Sequence, residues 1–402
     1  MMIPIGSKTT QQGRTEWALF GLGFRPFFLV AALLAVISML IWMAQLLLSA
    51  HILPASEIPL FWHAHEMLYG YALAVIAGFL LTAVRNWTNV PTLHGRPLQL
   101  LLLLWVLARI AALLTGQAAL MAGLVLDNLF IIYLSVTLTV PVVKAKLWKN
   151  MGVVSKVYFL LVGNVIYALG ALGLFEDGQR IGIYIGLYMI LSLMLVLSRR
   201  VIPMFIERGV GYPVSLKNRL WVDIACFLIF LIFAISDIFF DHPALTACLA
   251  LALCLLHSIR LQGWYTHGIW QKPLLWALYI AYGWIIVGFA LKFAVFATGI
   301  PFSLAIHAFT VGGIGMMTLA MMSRISLGHT GRDVNQPPAG IGLMLSILCV
   351  GAVVRVLFPL LSESHYQLWI GLSQILWIAA FTLFLYRYIP ILTRFRVDGR
   401  PG

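Results

Sequence analysis

Charged residues are scarce in this chain. Its 402 residues include 13 Asp and Glu and 26 Lys and Arg, so that 10% are charged, whereas soluble domains carry about 25%. No polar stretch exceeds about 25 residues, which is too short for a soluble domain. The low charge therefore excludes secreted, cytosolic and nucleic-acid-binding proteins.

Cysteine is also rare, and no cleavable signal peptide is expected. The four Cys lie inside apolar runs without any CxxC pair, so we expect small core residues and not a disulfide framework. Residues 1–23 are polar, and the first apolar run, 24–50, is longer than the apolar core of a signal peptide. We therefore expect this run to remain as the first membrane helix.

Apolar residues, in contrast, make up 62% of the chain, which is enough for about twelve spans of about 20 residues each. They cover all faces of each predicted span, as helices in lipid require, so strands are not expected. The sequence predicts an all-α polytopic membrane protein, a bundle of about twelve transmembrane helices. Breaks at Pro, Gly and charge clusters place the spans at about 24–50, 66–87, 98–115, 117–140, 155–175, 181–202, 221–240, 244–262, 273–297, 301–325, 339–361 and 366–389.

Lys and Arg are concentrated in alternate predicted loops. Positive loops remain cytoplasmic, and the loops of the opposite side carry only Arg180. We therefore expect a cytoplasmic N-terminal arm (1–23), a twelve-helix domain (24–389) and a cytoplasmic tail (390–402). This topology explains the net charge of +13 without a nucleic-acid partner.

Polar residues within the spans are candidates for function, because they are costly in a membrane. The segment 62–67, at the outer mouth of the second span, contains His63, His65, Glu66 and Met67. Imidazole and thioether ligands suit copper, and imidazole also suits haem iron. In a helix, His63 shares a face with Glu66 and Met67, whereas His65 points about 200° away, so both imidazoles reach one metal only where the chain is irregular. The alternative is an interfacial anchor at headgroup level.

The tenth span carries His307 at a depth similar to that of His65. Gly312, Gly313 and Gly315 follow, and such small residues admit another helix or a flat cofactor, with Met316 adding sulfur. Tight helix packing explains the glycines equally well, and the imidazole could instead bond to a neighbouring carbonyl. Both the second and the tenth span open with a His-Ala pair, which chance could supply.

Opposite charges lie at one depth in the hairpin of the third and fourth spans. An ion pair between Arg109 and Asp127 would lower the cost of both, although a proton or ligand site is the alternative. Lys292 and Arg355, towards the outer side, could meet haem propionates or an anionic substrate, or could extend to the surface.

Several longer motifs resemble the NnrS family. They occur in the family's order and cover about residues 17–390: Gly23-Phe24-Arg25-Pro26-Phe27-Phe28, the segment 62–67 with 78–83 and 86–88, Trp105 with Arg109, Arg200-Val201-Ile202-Pro203, and His307-Ala308 with the stretch 324–332.

The resemblance implies a twelve-helix protein of the bacterial cytoplasmic (inner) membrane that contains haem and copper and is linked to nitric oxide, denitrification and nitrosative stress. It implies His63, His65 and His307 as ligands. His257, near the inner end of the eighth span, and His329, after the tenth, are weaker candidates.

Two further residues affect this expected set of ligands. Glu66 is the nearest carboxylate in sequence and is expected to hold the second nitrogen of a ligating imidazole. Tyr279 stands where the family has His, so a haem held by two His that used this position would be altered or lost here.

The leading hypothesis is therefore a haem- and copper-binding membrane protein that binds or turns over nitric oxide or its metal-nitrosyl products. Acidic residues within the spans are nearly limited to Asp127, which is too few for a proton path, so enzyme status and the electron donor stay open. The alternative is a secondary transporter of a metal or small anion, with Arg109, Lys292 and Arg355 as anion ligands.

Overall fold

The computed structural model describes residues 18–50, 52–53 and 58–399. Twelve helical spans run antiparallel through the bundle, and no strand occurs among the described residues. The spans are α1 (Phe24–Leu47), α2 (Pro59–Thr88), α3 (Gly95–Ala111), α4 (Gln117–Lys144), α5 (Met151–Ala171), α6 (Gly178–Gly209), α7 (Leu220–Phe239), α8 (Pro243–Gly263), α9 (Pro273–Thr298), α10 (Phe302–His329), α11 (Ile341–Leu361) and α12 (Tyr366–Thr393).

The predicted all-α bundle of about twelve membrane helices is confirmed. Eleven helices among the described residues are long and apolar enough to cross a bilayer, and the remaining one, α3, has 17 residues, at the lower limit of about 17 for a span. Single 3₁₀ turns precede α1, α5 and α12 and lie between α8 and α9. The chain is a multi-pass membrane protein.

Helix α2 begins at Pro59, seven residues before the predicted start at residue 66. Proline favours the first turn of a helix, because its fixed φ suits helical geometry and its missing N–H has no partner there. The segment 62–67 therefore lies within α2 and not at its mouth. At the other end of the chain, α12 continues to Thr393, beyond the predicted limit of 389.

Two of the spans contain a π-helical segment, which places an additional residue in one turn. In α2 it comprises Glu66–Ala72, and in α10 it comprises Ala308–Gly315. Each segment begins within three residues of a His-Ala pair, so the likeness of the second and tenth spans extends from sequence to backbone. Such segments occur frequently at functional sites.

The first and the last span contact each other inside the bundle. Arg25 at the start of α1 donates to the carbonyl oxygens of Leu392 and Arg394 at 2.9 and 2.7 Å. Trp377 of α12 donates to the carbonyl of Ala35, 3.0 Å away. The described parts of the predicted arm and tail thus pack on the bundle, whereas residues 1–17 and 400–402 lie outside the described residues.

The outer surface of the bundle is apolar, as a lipid-facing surface must be. On α7, for example, Leu228, Leu231 and Ile232 are exposed. All four cysteines are unpaired, and Cys226 is buried as expected, but Cys248 lies on this outer surface. The expectation of core cysteines is thus wrong for Cys248, because thiols are also compatible with lipid.

Candidate functional site

His63 is the fifth residue of α2 and lies against α1. Its ring stacks on Trp42, with centroids 4.6 Å apart and planes 8° from parallel. Its Nδ1 atom is buried and has no hydrogen-bond partner among the described residues. The residue as a whole is partly exposed, and the stacking on Trp42 holds the imidazole in place.

The imidazole of His307, the sixth residue of α10, is oriented by a backbone carbonyl one turn earlier in the same helix. Its Nδ1 lies 2.7 Å from the carbonyl oxygen of Ser303, and a carbonyl can only accept, so Nδ1 carries the proton. Nε2 therefore presents a lone pair. An imidazole that donates through one nitrogen and presents a lone pair at the other has the arrangement of a metal ligand.

Arg355 of α11 completes this site. Its Nη2 lies 3.4 Å from Nε2 of His307, and Nη1 is buried without a partner among the described residues. His63 lies within electrostatic range of both Arg355 and His307. Three spans therefore bring two imidazoles and one guanidinium together, and we call these three residues the His63 site.

Met67 lies in the π-helical segment of α2. Its sulfur accepts a hydrogen bond from the Ser38 hydroxyl of α1 at 3.5 Å. The helical face that the sequence predicted for His63, Glu66 and Met67 assumes regular α-helix, whereas π-helix starts at Glu66. The thioether is thus oriented by α1.

A second polar cluster is formed by residues of α2, α3, α4 and α5. Arg109 of α3 donates to Glu66 Oε1 at 2.7 Å and forms an ion pair with Asp127 of α4. Gly70 of the π-helical segment makes room for it, because a Cβ there would lie 2.9 Å from Arg109 Nη1. One cation thus serves two buried carboxylates. Together with His65 and Asn164 we call this group the Arg109 cluster.

His65 belongs to this cluster and not to the His63 site. Its Nε2 lies 2.9 Å from Asn164 Oδ1 of α5, and its Nδ1 lies 3.5 Å from Glu66 Oε1. The ring stacks between Tyr69 and Tyr167, with centroids 5.1 and 4.3 Å away. Both ring nitrogens of His65 therefore have polar partners within the Arg109 cluster. Glu66 lies beside His65, and its role as the partner of a ligating imidazole stays a prediction.

The two weaker candidates and Tyr279 lie away from the His63 site. His257 of α8 lies 2.6 Å from the Tyr282 hydroxyl of α9. His329, at the end of α10, packs against Phe24, with ring centroids 5.7 Å apart. Tyr279 donates to the carbonyl of Leu261 at 3.2 Å, so its hydroxyl has a structural partner.

The glycines of α10 are packed by the protein's own side chains. A Cβ at Gly313 would lie 2.9 Å from Ile285 Cγ1, and a Cβ at Gly315 would lie 2.6 Å from Trp377 Cζ3. Trp284 similarly covers Gly312. Of the two explanations left open by the sequence, this face therefore fits helix packing, with no space left for a flat cofactor.

The sequence analysis did not identify several residues that contact the candidate site residues. Trp42 and Asn164 contact the two His of α2, and an Asn within the apolar fifth span was a signal that could have been read. Lys292 pairs with Asp237 at 2.7 Å, an acidic residue near the end of α7 that also accepts from Tyr188. The Lys292 ammonium is therefore neutralised within the protein.

The donor set of the His63 site determines which groups fit it. Within the described ranges, no group of three or more His, Cys, Asp or Glu side chains could hold a metal ion. His63 and His307 are two imidazoles on separate spans, and imidazole suits copper and haem iron. By their chemistry these residues would fit either group as ligands.

A comparison with family models decides the relationship. The model described as NnrS protein matches residues 18–396, which include all twelve spans. The chain belongs to the NnrS family. The resemblance seen in the motifs is thereby confirmed, and both the His63 site and the Arg109 cluster lie within the matched region of this NnrS-family protein. No curated protein matches the chain.

Proposed function

We propose that this NnrS-family protein binds haem and copper in a bacterial cytoplasmic membrane and uses them to bind or turn over nitric oxide or its metal-nitrosyl products. The observation that carries the proposal is the His63 site, where His307 presents a lone pair at Nε2 while Nδ1 is held by Ser303. His63 is the second ligand. A haem iron or copper ion held there would supply the binding site for nitric oxide.

The remaining residues of the site hold and orient these imidazoles. Trp42 stacks on His63, which limits rotation of the ring. Arg355 places an unpartnered N–H beside His307, where it would favour an anionic group such as a haem propionate. The surrounding spans exclude water, and a small neutral ligand reaches such a site through lipid.

The Arg109 cluster supports the His63 site through α2, the span that both groups share. Glu66 lies in the turn that follows His63 and is tied to α3 through Arg109, so the cluster fixes the π-helical segment of α2. His65 remains a predicted ligand from the family resemblance, but the acceptors at both of its nitrogens favour a supporting role.

Substitution of each His with analysis of the bound groups tests the proposal. The His63→Ala and His307→Ala variants are expected to lose haem, copper or both from folded protein, because each removes one donor. His365→Ala is the matched control, since this His is exposed in the turn before α12. Metal analysis and a reduced-minus-oxidised absorption spectrum are measured on the same sample.

Two outcomes would contradict the assignment. If both variants keep wild-type metal and haem content with an unchanged spectrum, His63 and His307 are not the ligands. If wild-type protein purifies colourless and metal-free after expression with haem precursor and copper, the cofactor proposal itself fails. A loss in His65→Ala alone would place the ligand set in the Arg109 cluster.

Transport of an anion, the alternative from the sequence, has less support. Arg109 is paired with two carboxylates and Lys292 with one. Of the three cations predicted as anion ligands, Arg355 alone pairs with no carboxylate among the described residues. The absorption spectrum also discriminates here, because a transporter would carry no chromophore.

A further inference from the structure

A cleft of about 390 Å³ opens between α6, α7 and α8, at the end of the bundle where α1 begins. Its wall includes Phe227, which is 56% exposed on the lipid-facing surface, so the cleft opens sideways towards the bilayer. We call it the basic cleft. The lining residues that matter here are Arg199, Arg200, Asp223, Phe227, His257 and Arg260.

The basic cleft has an excess of positive charge. Asp223 is its single carboxylate, and it accepts from Arg199 Nε and Arg260 Nη2, each at 2.8 Å. Arg200 is exposed and has a hydrogen bond to the neutral Asn150 side chain, at 3.3 Å. Three guanidinium groups against one carboxylate leave an excess of two positive charges among the lining residues of the cleft.

The hydrogen bonds around His257 determine its tautomer. Arg260 Nη1 donates to the Tyr282 hydroxyl at 3.1 Å, and the same Nη1 lies 3.4 Å from His257 Nδ1. A guanidinium can only donate, so its approach to Nδ1 favours the tautomer in which Nδ1 is unprotonated and accepts from the Tyr282 hydroxyl, 2.6 Å away. Nδ1 of His257 is therefore an acceptor, and Nε2 carries the proton.

In this tautomer His257 presents an N–H at Nε2, whereas His307 presents a lone pair there. Nε2 of His257 is a buried N–H without an acceptor among the described residues, in a residue that is 1% exposed, and Arg260 Nε has no partner there either. A buried donor without an acceptor destabilises the folded protein. The cleft therefore lacks an acceptor for this N–H and has one carboxylate for three guanidinium groups, whereas a metal ligand would present a lone pair.

We propose that the basic cleft binds an acidic phospholipid, with the phosphate at His257 and the three arginines and the acyl chains along Phe227. Phosphate supplies both missing elements, since its oxygens accept hydrogen bonds and its charge balances the guanidinium groups. Basic pockets between membrane helices bind such headgroups. A neutral ligand would leave the positive charge uncompensated. The proposal is independent of the His63 site, which lies on other spans.

Native mass spectrometry of the full-length protein tests this proposal. Protein is reconstituted in nanodiscs of phosphatidylcholine that contain phosphatidylglycerol as the acidic probe, and the retained lipids are identified after release. Wild type is expected to retain phosphatidylglycerol above its share in the nanodisc. The Arg200→Gln variant should reduce this retention about five-fold, because one arginine near a lipid surface contributes about 1 kcal/mol.

Arg208→Gln is the matched control, since Arg208 is exposed on the same end of α6 and lies outside the cleft. His257→Leu removes the donor within the cleft and should reduce retention similarly while haem and copper content stay unchanged. Arg200→Gln, at an exposed position, keeps the test informative if His257→Leu does not fold.

Four results would overturn the proposal. Equal retention of the two lipids shows no preference for the charged headgroup. Equal effects of Arg200→Gln and Arg208→Gln show that the cleft is not the site. Equal thermal stabilisation by inorganic phosphate alone shows a soluble anion as the occupant. Loss of haem in folded His257→Leu shows that the cleft holds the cofactor.

Discussion

At the scale of single residues, the Arg109 cluster differs from a simple pair. The hairpin pattern predicts one bond between Arg109 and Asp127, and the structure adds Glu66 as a second carboxylate on the same cation. Each buried charge depends on its partner, because removal of the partner leaves an uncompensated charge in a medium of low dielectric. The shared cation is therefore the most sensitive position.

Substitution of this cation should be more damaging than substitution of one carboxylate. We expect Arg109→Gln to lower the free energy of unfolding by about 3–5 kcal/mol, because it leaves two buried carboxylates unpaired. Asp127→Asn should cost about 1–3 kcal/mol, since Arg109 keeps Glu66. Thermal unfolding of detergent-solubilised protein measures both.

Arg180→Gln is the control for this comparison, because its ion pair with Asp177 is exposed and such a pair contributes less than about 1 kcal/mol. An equal or larger loss in Asp127→Asn than in Arg109→Gln would show that the two carboxylates do not share the cation.

At the scale of elements, α10 illustrates how a helix is specified by what packs on it. Its glycines admit Trp284 and Trp377 at distances that a side chain would prevent. Trp377 is itself fixed, since it donates to the carbonyl of Ala35 at 3.0 Å. A residue added on this face cannot be accommodated by movement of the indole without loss of that bond.

The Gly315→Ala variant tests this packing. Its Cβ would lie 2.6 Å from Trp377 Cζ3, so we expect a loss of about 1–3 kcal/mol in the free energy of unfolding. Gly152→Ala is the control, because it lies in the first turn of helix α5 with no atom within 4 Å of the added Cβ and so replaces a helical glycine without a clash. Equal stability of the two variants would show that α10 and α12 are not in close contact at Gly315.

The π-helical segments could not have been predicted at this scale. A π turn is rare, and its backbone groups need partners from outside the helix, such as the Trp105 indole that donates to the carbonyl of Gly70 at 3.1 Å. The residues of the segment alone contain no signal for that partner, which comes from α3.

At the scale of the whole molecule, the distribution of Lys and Arg predicts that both termini are cytoplasmic. Single cysteines in a background without the four native Cys test this, with Cys248 removed above all because it is exposed. A membrane-impermeant maleimide applied to intact cells should label positions 57 and 363 and not position 335, because the basic loops face the cytoplasm. Position 57 lies outside the described residues, whereas Glu363 and Asn335 are exposed in turns at opposite ends of the bundle. Labelling of position 335 alone would show that the protein has the opposite orientation in the membrane.

The sequence by itself determined the number and type of the elements. Each span is a local property, because about 20 apolar residues are enough to satisfy the bilayer wherever their neighbours lie. For the same reason the His residues could be recognised as unusual from position alone, and the family could be recognised from motifs that are contiguous in the chain.

Only the tertiary structure decided which of these polar residues meet. His63 and His65 are two positions apart, yet one faces Arg355 and His307 and the other faces Asn164 and Asp127, because the helices packed on opposite sides of α2 supply different partners. The tautomers of His257 and His307 likewise depend on Tyr282 and Ser303. Partners across helices are set by packing and not by spacing along the chain, so the separate roles of these imidazoles become visible only in the folded bundle.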